Sequence, residues 1–115
     1  MDEDCALEDV AALLEDETAR TILTATSVEP MSATALSDRC GVSEPTIYRR
    51  LEALRECNLV EEQTEPDLAG GHHTKVYRPR LKRVTVTLDE GELQLEVDRR
   101  QETMADRFTD LVEGL

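Results

Sequence analysis

The chain has 115 residues, enough for one domain with a modest core. Its 26 Asp and Glu against 13 Lys and Arg give a formal charge of −13, yet Leu, Val and Ile recur at regular spacing along nearly its whole length, which excludes a disordered polyelectrolyte. The longest apolar run, Val10 to Leu14, falls far below the ~20 residues of a membrane span, and the acidic start MDEDCALED is unlike a signal peptide, so a cytoplasmic protein with no membrane partner is expected.

Leu7, Val10, Ala11 and Leu14 stand at helical spacing, and Asp16 can cap a second run in which Ala19, Ile22, Leu23 and Thr26 share one face. One helix or a pair is therefore predicted over about 7–27, ending before Pro30, which disfavours helix at the residue preceding it. Ser32 reads as the next N-cap, with Met31 and Leu36 at the spacing of a hydrophobic staple. That helix is short, because Gly41 follows Cys40 where a left-handed residue ends it. Ser43 caps the next, with Val42 and Ile47 as its staple, Pro45 in its first turn and Asn58 as its C-terminal cap. Two helices, about 33–40 and 44–57, are thus joined by Gly41–Val42–Ser43, the arrangement of a helix-turn-helix.

Leu59 to Glu65 and Lys75 to Arg78 read as strands around the turn-rich tip Pro66 to Gly71, a wing hairpin directly behind the second helix. Alternation resumes in Val84, Val86 and Leu88 and returns in Leu93, Leu95 and Val97 after Asp89–Glu90–Gly91. A second hairpin is predicted there, the rival being one long helix from Asp89 onward. Met104, Phe108, Leu111 and Leu115 then mark an amphipathic helix over 99–114, which either docks on its own core or pairs with a second copy. The expected fold is α+β: a winged helix-turn-helix over 1–83, extended by a C-terminal β-hairpin and terminal amphipathic helix over 84–115.

Residues 36–60, LSDRCGVSEPTIYRRLEALRECNLV, resemble the winged helix-turn-helix of ArsR-type transcription regulators, particularly haloarchaeal members, and GGHHTKVYRP at 70–79 resembles their wing. The resemblance covers about residues 16–80 and implies a regulator that binds double-stranded DNA. The family's metal sensors carry a Cys-x-Cys pair on or near the recognition helix; this sequence lacks it, so arsenite or zinc sensing is not carried over and no metal or cofactor is expected.

Charge agrees with an anionic partner at this motif. Residues 1–38 hold ten acids and one base, 39–83 seven acids and nine bases, and 84–115 nine acids and three bases. Eleven of the bases are Arg and two are Lys, and acid excess with Lys depletion resembles the proteins of extreme halophiles. At ~1 M ionic strength the Debye length is ~3 Å and self-repulsion is quenched; an ordinary acidic bacterial protein is the alternative. Counterion release weakens DNA binding with a slope of about −0.9 per phosphate neutralised, so a complex in such salt needs direct base contacts and a symmetric dimer.

With Ile47, Leu51 and Leu54 facing the core, Glu44, Pro45, Tyr48, Arg49, Glu52 and Arg55 face outward, with Thr46 and Arg50 on the flanks. The recognition helix, about 44–57, would lie in the major groove and the wing, about 66–75, at the backbone. Arg49 is the candidate for gripping guanine O6 and N7, and Thr46 for a thymine methyl or an edge acceptor. Tyr48 and Arg50 are assigned to phosphates, Glu44 to a cytosine amino group or to helix N-terminal charge. Ser43, Arg55, His73 and Lys75 complete the predicted DNA-binding set. His72 and His73 are adjacent and on a strand point to opposite faces, so they cannot chelate jointly. Met104, Phe108, Leu111 and Leu115 are the predicted dimer seam.

Cys5, Cys40 and Cys57 are odd in number and far apart, which suggests free thiols in a reducing compartment rather than a zinc site or disulfide framework. Cys40 and Cys57 fall at small apolar positions of the helices and read as buried structural thiols. The alternative is a thiol redox-responsive regulator using Cys40 or Cys57. With no nucleophile–base pairing and no phosphate loop the chain does not read as an enzyme; the serious rival to a DNA-binding role is a winged-helix protein–protein interaction module.

Overall fold

The computed structural model describes residues 5–66 and 73–100. Four helices precede two antiparallel hairpins: α1 (Leu7–Glu15), α2 (Glu17–Val28), α3 (Ala33–Cys40), α4 (Glu44–Glu56), β1 (Val60–Pro66), β2 (His73–Pro79), β3 (Leu81–Asp89) and β4 (Glu92–Arg99). This is an α+β winged helix-turn-helix followed by an additional β-hairpin.

The helix boundaries follow local chemistry. Asp16 separates the first two helices: its Oδ2 accepts from the Ala19 amide at 2.8 Å, closing the start of α2. Arg20 reaches back from α2, its Nη1 donating to the carbonyls of Leu14 and Glu15 at 2.8 and 2.7 Å, and so satisfies the exposed end of α1. Ser32 caps α3 through the Ala35 amide, and Gly41 ends it in the left-handed conformation, φ 69°. Ser43 caps α4. Asn58, at φ 54°, closes that helix, with the amides of Asn58 and Leu59 donating to the carbonyls of Arg55 and Leu54. These two bonds form a Schellman end.

Ile22, Leu36, Ile47, Leu51, Leu54 and Leu59 are the large side chains at the centre of the core, none more than 2% exposed. Each contributes about 1.5–3 kcal/mol by leaving water, so the apolar stripe fixes which side of α4 points outward. α2 and α3 both pack on β2, and Met31, between them, bridges Tyr77 through backbone bonds of 2.8 and 3.3 Å.

β1 and β2 pair from Val60↔Pro79 to Pro66↔His73, the wing hairpin. β3 and β4 form a separate two-stranded sheet, turned by Glu90 and Gly91 with φ 47° and 81°. Positive φ at both central residues is the type I′ geometry whose twist suits adjoining strands, and this excludes the rival long helix from Asp89. Val84, Val86 and Leu88 stand opposite Val97, Leu95 and Leu93 on one face. Leu95 at its base is buried, but Val86, Leu88 and Leu93 are 53%, 75% and 54% exposed. β4 extends to Arg99, so a terminal helix does not begin at 99. The remainder of that helix, with Met104, Phe108, Leu111 and Leu115, lies outside the described residues, as does His72.

The cysteines depart from the expectation of free thiols. Cys5 and Cys57 form a disulfide, 52 positions apart with Cα atoms at 5.2 Å, and Cys40 alone is free. Sequence distance concealed the pairing: Cys5 stands two residues before α1, and α1 runs beside α4, where Cys57 is the buried C-cap.

Asp16 also receives Arg50 Nε at 2.9 Å, and that guanidinium, aided by the Ala19 amide and Arg20 against the opposing effect of burial, holds its carboxyl below the usual carboxylate range. A depressed folded pKa gives stability that is present above the unfolded value of about 3.9 and lost as pH falls through the lower folded one. Asp16→Ala is expected to cost about 1–2 kcal/mol at neutral pH from the lost cap, a difference that shrinks in acid melts below about pH 4. Equal melting of the two proteins at neutral pH would contradict this role.

Candidate nucleic-acid interface

The outward side of α4 is the side predicted. Ile47, Leu51 and Leu54 are buried, while Glu44, Pro45, Tyr48, Arg49, Glu52 and Arg55 are exposed. Its first turns hold a linked polar group. Ser43 Oγ lies 3.0 Å from Thr46 Oγ1, which in turn accepts from Arg49 Nη2 at 3.2 Å. The guanidinium is thus drawn toward the N-terminal end of the helix, the end that reaches base edges when such a helix enters the major groove. Tyr48, 52% exposed, stands beside it. Glu44 is an exposed acceptor for Thr34 Oγ1 at 3.1 Å, which ties the first turn of α4 to α3.

Other predicted residues already have partners. Arg50 is half-buried against Asp16, a strut between α4 and the α1–α2 junction rather than a side chain projecting from the surface. Arg55 Nη1 meets Glu62 Oε2 at 3.2 Å, and Lys75 Nζ lies 3.6 Å from Glu62 Oε1, so one β1 carboxylate gathers a cation from the helix and a cation from the wing. Tyr77 OH donates to the same Oε2 at 3.1 Å. Burial first, and then this carboxylate, push the Tyr77 phenol up to about 12. His73 is exposed at the start of β2. Behind the wing, Arg80 pairs with Glu61 and Arg83 with Asp98.

Charge divides along α4. The N-terminal half presents one base, Arg49, and one acid, Glu44, with Ser43, Thr46 and Tyr48, whereas the C-terminal half borders an open cleft of about 430 Å³ with Glu52, Glu56, Glu61 and Glu62 around Arg55. A phosphate at the first half meets Arg49, whereas at the second it competes with these carboxylates for Arg55. Among the described residues no His, Cys, Asp and Glu cluster is arranged to hold a metal.

Two features at the far end of α4 escaped the sequence. Arg99, at the end of β4, donates to the carbonyls of Cys57 and Asn58 at 2.7 and 2.9 Å, a cation on the negative end of the helix. The Cys5–Cys57 bridge lies beside it, on the wall of a groove between α1 and α4 whose other end is the Asp16–Arg50 pair. Burial, only partly offset by Arg39, pushes the Cys40 thiol up.

Residues 14–63 match the family model described as a helix-turn-helix domain. Among solved structures, an ArsR-like transcriptional regulator from Rhodococcus sp. RHA1 superposes with a TM-score of 0.52 at 37% identity, covering 64% of this chain and 62% of that one. NolR from Sinorhizobium fredii superposes with a TM-score of 0.51 at 25% identity, covering 63% of this chain and 66% of that one. The chain thus spans somewhat less than two thirds of each of these structures. No curated protein matches it. Sequence match, element order and exposed second helix agree that this chain is a winged helix-turn-helix protein similar in sequence and fold to ArsR-like transcriptional regulators.

Proposed function

We propose that the protein is a sequence-specific transcription regulator that binds double-stranded DNA as a homodimer, acts in the cytoplasm and is not an enzyme. Residues 1–83 serve as the DNA-binding unit and 84–115 as its dimerisation extension. α4 enters the major groove, with Arg49 reading a base edge, Thr46 beside it, and Ser43, Tyr48 and Glu44 around them. His73 and Lys75 of the wing approach the backbone. The observation that carries this reading is the exposed Ser43–Thr46–Arg49 group on a helix whose opposite side is wholly buried. Dimerisation is supported by Val86, Leu88 and Leu93, an apolar patch exposed near the end of the described chain and therefore suited to a protein contact. Met104, Phe108, Leu111 and Leu115 continue the seam.

A chain ending at Arg99 tests the dimer. We expect it to sediment as a monomer and to lose at least tenfold in affinity for a duplex from upstream of its own gene, since a symmetric dimer doubles the contacts. A truncated chain that stays dimeric and binds as tightly would overturn the assignment. Nuclease protection of one discrete site on that duplex, in molar KCl, separates DNA recognition from a protein-docking module, which would protect nothing.

A second reading, control by thiol state, is favoured by the Cys5–Cys57 bridge at the end of α4. A dithiol reductant would convert the bridge to two thiols and itself become a disulfide, freeing Cys5 from the recognition helix. Cys40 is a poor alternative, because burial disfavours its thiolate.

A further inference from the structure

We propose that Glu62 is a built-in phosphate mimic that withholds Arg55 and Lys75 from DNA until a backbone phosphate is placed to displace it, and so sets the gap between specific and non-specific binding. The inference rests on the DNA-binding reading and concerns how it is regulated. Three observations carry it. The carboxylate meets cations from the two elements assigned to DNA, Arg55 on α4 and Lys75 on β2, at 3.2 and 3.6 Å. It is itself held in place, its side chain 22% exposed on β1 and its Oε2 accepting from Tyr77 at 3.1 Å. The cations it holds remain open to solvent, at 52% and 67%.

A loosely docked, non-specific duplex must compete with this fixed acceptor for both cations. Ion pairs with such exposed cations are weak, so a well-placed phosphate can displace them. A complex whose register is fixed by base contacts supplies such a phosphate, and the two cations then add to specific binding only.

The test is Glu62→Gln in the full chain, which keeps an acceptor for Tyr77. Binding is measured by fluorescence anisotropy to a random-sequence duplex and to the protein's own upstream duplex over a series of KCl concentrations. We expect random-duplex affinity to rise on the order of tenfold at low salt, with a salt slope steeper by up to about 1.8, the value for two newly engaged phosphates. Affinity for the upstream duplex should rise less, narrowing the specificity ratio. In an Arg55→Ala/Lys75→Ala background Glu62→Gln should change neither quantity. A wild-type protein that binds while Glu62→Gln leaves random-duplex affinity and slope unaltered, or alters them equally without Arg55 and Lys75, overturns the gate alone. A wild-type protein that binds neither duplex overturns the DNA-binding reading beneath it. Matching thermal melts of wild type and Glu62→Gln confirm that fold is not the variable.

Discussion

Cys5→Ser is expected to lower the free energy of unfolding by about 4 kcal/mol, the value the loop-closure relation gives for a bridge between residues 52 apart. Small domains have about 5–15 kcal/mol in total, so the loss is a large share of it. The effect arises mainly in the unfolded chain, where the bridge ties the start of α1 to the end of α4 and shortens a loop containing all four helices. Cys5 is the better residue to change: it lies at the edge of the groove, whereas Cys57 is 3% exposed and a serine hydroxyl there would need a buried partner. Denaturant titration of oxidised wild type, reduced wild type and Cys5→Ser should give two matching low midpoints and one high one. A single free thiol per unreduced chain, Cys40, titratable once the chain is unfolded, is the accompanying expectation. Three coincident midpoints would show that the bridge does not hold the protein together. Operator affinity of the same samples tests control by thiol state: equal affinity before and after reduction removes that reading while leaving the stability result intact.

Arg49→Ala should weaken binding to the specific site by about 1–3 kcal/mol per half-site, the range for a bidentate guanine contact, and a symmetric dimer incurs the loss twice. Its melting point should stay within a degree or two of wild type, since the exposed guanidinium hydrogen-bonds the Thr46 hydroxyl on its own helix. Arg50→Ala gives the contrasting pattern. Arg50 is engaged with Asp16, so its removal lowers stability first and DNA affinity only as a consequence. The sequence places Arg49 outward and Arg50 on the flank, both toward DNA; in the structure the position three residues beyond Thr46 is turned outward, and the next falls against Asp16 at the α1–α2 junction. Specific-site affinity that is unchanged in Arg49→Ala would remove base reading from this side chain.

The helix-turn-helix was legible because its signals are local. Ser32, Gly41, Ser43 and Pro45 mark boundaries through backbone chemistry within a few residues, and Ile47, Leu51 and Leu54 state which side is buried. The second hairpin was legible for the same reason, since period-two alternation meets a Glu90–Gly91 turn. What the sequence concealed depends on approach between distant segments. Cys5 meets Cys57, Asp16 meets Arg50, Arg99 meets the end of α4, and Glu62 meets both Arg55 and Lys75. No spacing rule announces these pairs; they arise only once α1 lies beside α4 and the wing strands stand next to the recognition helix. Composition showed that cations collect in residues 39–83 but not that acids of β1 hold two of them.

The most direct test is an anisotropy titration of a labelled duplex from upstream of the protein's own gene at ~1 M KCl, where screening leaves mainly close contacts, with wild type and Arg49→Ala side by side. The prediction is saturable binding by wild type at two chains per site and a large loss for Arg49→Ala with its fold intact. Identical isotherms for the two proteins, or no saturable binding by wild type from low salt upward, would contradict the placement of α4 on DNA.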